Sequence, residues 1–253
     1  MPSTPGWLLR EGPAPVEATA RFHQLYAARV RSRAPVLLVG GIFTDRYPWY
    51  LRSVRRALRA RELPIDTQGS VRDNAAAIRD AVLREPEPVV LMGHSKGPLD
   101  IHAALRLHPA MVPRVRAFVS LQAPFAGTPL ATDAEARPLV RKLAPDSFFE
   151  MGYQERRSFL LAHPPSSPVP TVALATFTPR ARWPLETTRR YIARRYGVPS
   201  DGFVPFADAQ IPGARLVALE GVDHATLALA WLRPFARLHV GRAARALLAL
   251  ALE

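Results

Sequence analysis

The stretch that decides the fold is Val89-Val90-Leu91-Met92-Gly93-His94-Ser95-Lys96-Gly97. Four consecutive apolar residues without polar alternation predict a strand buried on both faces, as in a parallel sheet. Gly93-x-Ser95-x-Gly97 follows at once, and a helical pattern covers 98–107. A serine on so tight a strand-to-helix turn takes a strained backbone and stands exposed above the sheet. Side chains two residues before and after it would collide with their surroundings, and glycine at both places removes the collision. Pro98 falls in the first helical turn, where a missing N–H costs nothing.

Outward from this turn the same alternation repeats. Pro35 introduces Val36–Val39, which ends in Gly40-Gly41. Further strands are expected at 64–67, Val115–Leu121, Thr171–Phe177 and 215–219. Helices are expected at 16–30, 49–61, 73–83 with Asp73 as its cap, 186–196 with Gly197 as its C-cap, and 225–250 with a break at Pro234. Strands alternating with helices predict an α/β fold: a mostly parallel central sheet of about six strands flanked by helices. Between 124 and 168 prolines and aromatics break the hydrophobic spacing, which predicts a helical lid or cap insertion. The expected organisation is an N-terminal extension over 1–34 and one domain over 35–253.

Composition bounds the rest. With 253 residues, 48% of them apolar, the chain can bury a sizeable core and is too apolar to be disordered. The absence of cysteine excludes a disulfide framework, a thiolate metal site and a cysteine nucleophile. Lys plus Arg number 34 against 21 Asp plus Glu, a net charge of +13, and only Lys96 and Lys142 are lysines. The arginines are spread along the whole chain. Their densest patches, Arg52, Arg55, Arg56, Arg59 and Arg61, then Arg189, Arg190, Arg194 and Arg195, have the spacing of solvated helix faces. No nucleic-acid partner is expected. No run approaches the ~18 apolar residues of a spanning helix, and residues 1–12 lack an apolar run of signal-peptide length. A cytoplasmic protein without a transmembrane segment is therefore expected.

A serine nucleophile needs a base, an acid and an oxyanion site. Of the seven histidines, His224 directly follows the last expected strand, at the same carboxyl end of the sheet as Ser95. The side chain of His94 points the wrong way to reach Ser95. Asp201, in Ser200-Asp201-Gly202-Phe203-Val204-Pro205, precedes His224 by enough chain for one more strand, and is the expected acid. Asp208 and Asp223 are the alternatives. The backbone N–H of Lys96, the residue after the nucleophile, is one expected oxyanion donor. The second is expected from the loop after the first strand, at Ile42, with Phe43 as the alternative. Phe43, Phe125, Phe148 and Phe149 are candidates for a substrate pocket. No metal or organic cofactor is implied.

The order Ser95, Asp201, His224 resembles that of the α/β-hydrolases, in particular their lipase and esterase branch. Gly93–Gly97 is similar to the nucleophile elbow of that family, Asp201-Gly202-Phe203-Val204-Pro205 to its Asp-Gly-x-Val-Pro acid loop, and Asp223-His224 to its histidine loop. Gln122-Ala123-Pro124-Phe125-Ala126-Gly127-Thr128-Pro129 resembles the segment that opens the lid in that branch. Three departures stand out. Gly40-Gly41 replaces the usual His-Gly, Pro98 replaces a second elbow glycine, and the first two strands of the full family sheet are not visible. The resemblance implies a carboxylic ester hydrolase acting on a small-molecule or lipid ester through an acyl-enzyme. The same constellation also serves acyltransferases and thioesterases.

Overall fold

A computed structural model describes residues 4–31, 34–42, 44, 47, 49–230 and 238–253. The strands are β1 (Val16–Glu17), β2 (Val36–Val39), β3 (Arg61–Glu62), β4 (Val89–His94), β5 (Val115–Leu121), β6 (Thr171–Phe177) and β7 (Arg215–Glu220). They form one sheet in the order β1-β7-β6-β5-β4-β2-β3, and every pairing is parallel. The α/β fold class therefore stands, with seven strands where about six were expected. The additional strand is β1, whose two residues pair with β7 and so join the segment before Pro35 to the sheet edge. The short strand expected at 64–67 lies instead at Arg61–Glu62, where the chain runs beside β2 before Pro64 removes a ladder donor.

Alternate strand residues feed two cores. Leu37, Val39, Leu91 and Phe118 face one layer. Val36, Leu38, Val90, Met92 and Val119 face the other. Burial on both faces is why these strands read as unbroken apolar runs. One face is covered by α4 (Val71–Leu83) and α5 (Gly97–Leu107), packed against each other. The other face is covered by α2 (Thr19–Ala27), α3 (Arg52–Leu58) and α12 (Val240–Ala251).

Several helix limits differ from expectation. α2 is shorter than 16–30 because β1 takes its first residues. α4 is capped by Ser70, whose Oγ accepts from the Asp73 N–H at 3.0 Å; Asp73 itself is the third helical residue. α10 (Leu185–Tyr196) ends as expected, with Gly197 in the left-handed region at φ 68°. The segment expected to be helical over 225–250 contains α11 (Ala225–Ala228) and α12, and the break at Pro234 lies outside the described residues.

Between β5 and β6, residues 124–168 contain four helices: α6 (Pro129–Glu135), α7 (Pro138–Leu143), α8 (Asp146–Phe149) and α9 (Tyr153–Ala162). This segment is tied down at several points. Thr128 Oγ1 donates to the Phe203 carbonyl at 2.7 Å, and Tyr153 Oη donates to Asp208 at 2.7 Å. Tyr191 and Tyr196 of α10 both donate to Asp133 of α6, at 2.6 and 2.8 Å. The N-terminal α1 (Trp7–Glu11) adds a strap: Trp7 Nε1 donates to the Ala126 carbonyl at 2.8 Å.

Candidate active site

The chain runs from β2 out to β3 at one edge and returns to β4 on the other side of β2, so the strand order reverses between β2 and β4. A crevice opens at the carboxyl ends of strands at such a reversal. Gly40-Gly41 leaves β2 on one side of it, and the Ser95 turn leaves β4 on the other.

Ser95 sits at φ 60°, in the left-handed region that side chains other than glycine seldom adopt. The glycines around it are required by close approach. A Cβ on Gly93 would lie 2.7 Å from the Pro98 nitrogen, and one on Gly97 would lie 2.4 Å from the Val39 carbonyl oxygen. A Cβ on Gly41 would lie 2.9 Å from Ser95 Cβ and 3.0 Å from the Tyr50 hydroxyl. Ser95 is only 5% exposed, so the turn is sunk beneath the surrounding loops rather than standing clear of them.

The three expected residues meet. His224 Nε2 lies 3.0 Å from Ser95 Oγ, and His224 Nδ1 lies 2.8 Å from Asp201 Oδ2. The other oxygen, Asp201 Oδ1, accepts from the N–H groups of Phe203 and Val204 at 2.9 and 2.8 Å. Those two donors fix the carboxylate plane, and Gly202 at φ 102° lets the loop turn back to supply them. The His224 N–H donates to the Asp201 carbonyl at 2.9 Å, which joins the two loops through their backbones as well. The alternatives are engaged elsewhere. Asp208 is buried and accepts from the Gly6 N–H and from Tyr153, with burial raising its pKa to about 7. Asp223 accepts from the Thr226 hydroxyl at 2.8 Å.

Among the described residues, no acceptor lies against the N–H of Lys96 or of Ile42. The Lys96 side chain is fully buried and turned away, with Nζ 2.8 and 3.0 Å from the two Asp100 oxygens. Burial raises the Asp100 pKa to about 7, against the opposing effects of Lys96 and Asn74. Phe43 lies outside the described residues. Phe125 is buried with its ring against His102 of α5, at 4.9 Å between centroids. Phe149 is buried beside Phe148. Phe148 is 6.5 Å from Phe203, whose ring lies 5.0 Å from that of His224. Of the three described aromatic candidates, Phe148 is the one joined to His224 through a ring contact, with Phe203 between them.

No protein-family model matches the chain, and no curated protein is significantly similar to it in sequence. Solved structures are similar to it in fold. A metagenomic carboxyl esterase matches with a TM-score of 0.73 at 21% identity, over 94% of this chain and 91% of its own. The mature lipase BlEst2 of Bacillus licheniformis matches with a TM-score of 0.65 at 19% identity, over 89% of this chain and 94% of its own. EstA from Clostridium botulinum matches with a TM-score of 0.60 at 10% identity, over 97% and 96%. The fold is that of the α/β-hydrolases.

Within this α/β-hydrolase fold three residues near the site were not singled out by sequence reasoning. Phe203 belongs to the loop that carries Asp201, and its ring lies 5.0 Å from that of His224. Gln122 follows β5 at φ 51° and Tyr50 precedes α3; both meet His94 behind the histidine loop. A polar residue directly after an apolar strand is the one signal that could have marked Gln122. Nothing in the local pattern marks Tyr50. Among the described residues, no three His, Asp or Glu side chains are grouped so as to hold a metal ion. None of the described helices is long and apolar enough to cross a membrane.

Proposed function

We propose that this protein is a serine hydrolase that cleaves carboxylic esters through an acyl-enzyme. The observation that carries the reading is the unbroken line of hydrogen bonds from Ser95 Oγ through both His224 nitrogens to a carboxylate pinned by two backbone donors. Asp201 accepts from Nδ1–H, which leaves Nε2 free to take a proton. Ser95 Oγ attacks the ester carbonyl while His224 Nε2 removes its proton. The N–H groups of Lys96 and Ile42 receive the charge that forms on the carbonyl oxygen. The alcohol leaves with the proton from His224, and water repeats the sequence on the acyl-enzyme. Asp201 stabilises the imidazolium at both stages without accepting its proton.

The substrate class is an ester with an apolar acyl group. The Phe203 ring next to His224, with the Phe148 ring beyond it, supports this, since an apolar wall beside the catalytic base favours a hydrocarbon chain over a charged one. Residues 124–168 act as the cap that carries part of that wall. Turnover of p-nitrophenyl acetate, butyrate, octanoate and decanoate by the wild type and by Ser95→Ala tests the reading. Turnover that rises with chain length and vanishes in Ser95→Ala is the expected result. Equal turnover by the variant overturns it. Adding a small alcohol and analysing products separates hydrolysis, which yields free acid, from acyl transfer, which yields the new ester.

A further inference from the structure

His94 lies inside the nucleophile turn, yet it contacts neither Ser95 Oγ nor solvent; it is 1% exposed. Its Nε2 lies 3.2 Å from Gln122 Oε1 and 3.1 Å from the backbone oxygen of His224. Both partners accept only, so Nε2 carries the hydrogen. Nδ1 is then an acceptor, and the Tyr50 hydroxyl donates to it at 2.5 Å. Burial, together with the neighbouring His224, lowers the His94 pKa to about 3, so the ring stays neutral near pH 7.

Gln122 completes the arrangement. Its Nε2 donates to Thr176 Oγ1 at 2.6 Å and to the Asp223 carbonyl at 3.1 Å. The carbonyls of Asp223 and His224 are consecutive, and each receives a side-chain donor from this buried pair. Together with the His224 N–H bond to Asp201, they fix the backbone on both sides of the His224 Cα. The residues involved come from three separate segments: the β4 turn, the end of β5 and the loop before α3.

We propose that His94 and Gln122, with Tyr50 donating to the remaining ring nitrogen of His94, are positioning residues that hold His224 at the distance from Ser95 needed for proton transfer. The inference rests on the serine-hydrolase reading and goes beyond it. A base that is free to shift by about 1 Å can lose on the order of 10² in rate while substrate binding is little affected. His94 also keeps a second positive charge away from the His224 imidazolium, because its ring centroid is 4.9 Å from that of His224 and it remains neutral.

The test compares Gln122→Met, which keeps the length and removes the hydrogen bonds, with the pair His94→Gln and His94→Asn. Glutamine places an amide donor near the lost Nε2, whereas asparagine reaches only the Nδ1 position. Gln122→Met and His94→Asn are expected to lose roughly 10- to 100-fold in kcat with KM within threefold. His94→Gln is expected to retain activity within about fivefold. The downfield proton signal of the His224–Asp201 hydrogen bond is expected to broaden in the first two and persist in the third. Fluorophosphonate should still label Ser95 fully in all three, but more slowly where kcat has fallen. Folded Gln122→Met with kcat and labelling rate within twofold of wild type overturns the proposal, as do equal losses in His94→Gln and His94→Asn. If Gln122→Met does not accumulate as folded protein, the His94 pair decides. Persistent turnover in Ser95→Ala would instead remove the hydrolase reading on which the proposal stands.

Discussion

His224 Nε2 stands 3.0 Å from Ser95 Oγ across 129 residues of sequence. The contact exists because β4 and β7 end on the same side of a parallel sheet, with β5 and β6 between them. Ser95 belongs to the turn after β4 and His224 to the loop after β7. Asp201 reaches His224 from a third loop, between α10 and β7, so the assembly depends on the sheet and not on local sequence.

Asp201→Asn should separate geometry from electrostatics. The amide oxygen can still accept from Phe203 and Val204, and the loop is held. The amide nitrogen then faces Nδ1 and favours the tautomer with hydrogen on Nε2, where it cannot take the serine proton. A fall in kcat of about 10⁴ with a nearly unchanged melting temperature is expected. A loss smaller than tenfold would remove Asp201 from the proposed mechanism.

Gly41→Ala should act on the nucleophile by contact alone. The new methyl group would meet Ser95 Cβ at 2.9 Å and the Tyr50 hydroxyl at 3.0 Å. Ser95 Cβ is attached directly to the backbone of the turn, so the turn must shift. A loss of at least ~10² in kcat/KM is expected. Steady-state kinetics on a short-chain p-nitrophenyl ester would read it, and activity within threefold of wild type would contradict the close approach.

The Lys96–Asp100 pair joins the N-cap of α5 to its first turn, with both side chains about 1% exposed. Asp100→Leu leaves the ammonium buried without its partner, and a loss of about 3–5 kcal/mol in unfolding free energy is expected. Lys96→Met combined with Asp100→Leu should recover most of that loss, because no buried charge is then unpaired. Denaturant melts of the two variants decide the point; equal destabilisation would contradict it. Ester turnover should survive in the double variant, since only the Lys96 N–H has a proposed role.

Asp208 gives a prediction in pH. Its pKa is raised in the folded state to about 7, above the ordinary carboxylate range near 4. Between those values the folded protein holds a proton that the unfolded chain has released. Its contribution to stability is therefore full below about pH 4 and is lost as pH rises towards 7, by up to ~1.4 kcal/mol per pH unit. Asp208→Asn cannot titrate, so its stability relative to wild type should climb across that window and level off beyond it. Parallel curves for the two proteins would contradict the assignment.

What sequence could reveal follows from range. The Val89–Gly97 stretch was legible because strand, turn and helix are each encoded locally, and the turn's glycines have steric causes visible in the motif. His224 and Asp201 were legible because loops after parallel strands share one end of the sheet. The two-residue strands β1 and β3 were not, since their extended form is set by pairing with β7 and β2 rather than by their own residues. The contacts of Tyr50 and Gln122 with His94 were hidden for a related reason. Each depends on which side chain of a distant loop fills the space behind His224, and hydrophobic periodicity carries no trace of that.

The central claim, that Ser95 is the nucleophile of an ester hydrolase, is tested most directly by intact-mass measurement after exposure to a fluorophosphonate. A single adduct on the wild type, located at Ser95, and no adduct on folded Ser95→Ala under the same conditions are the expected results. An adduct that forms on Ser95→Ala at the wild-type rate, or none on the folded wild type, would contradict it.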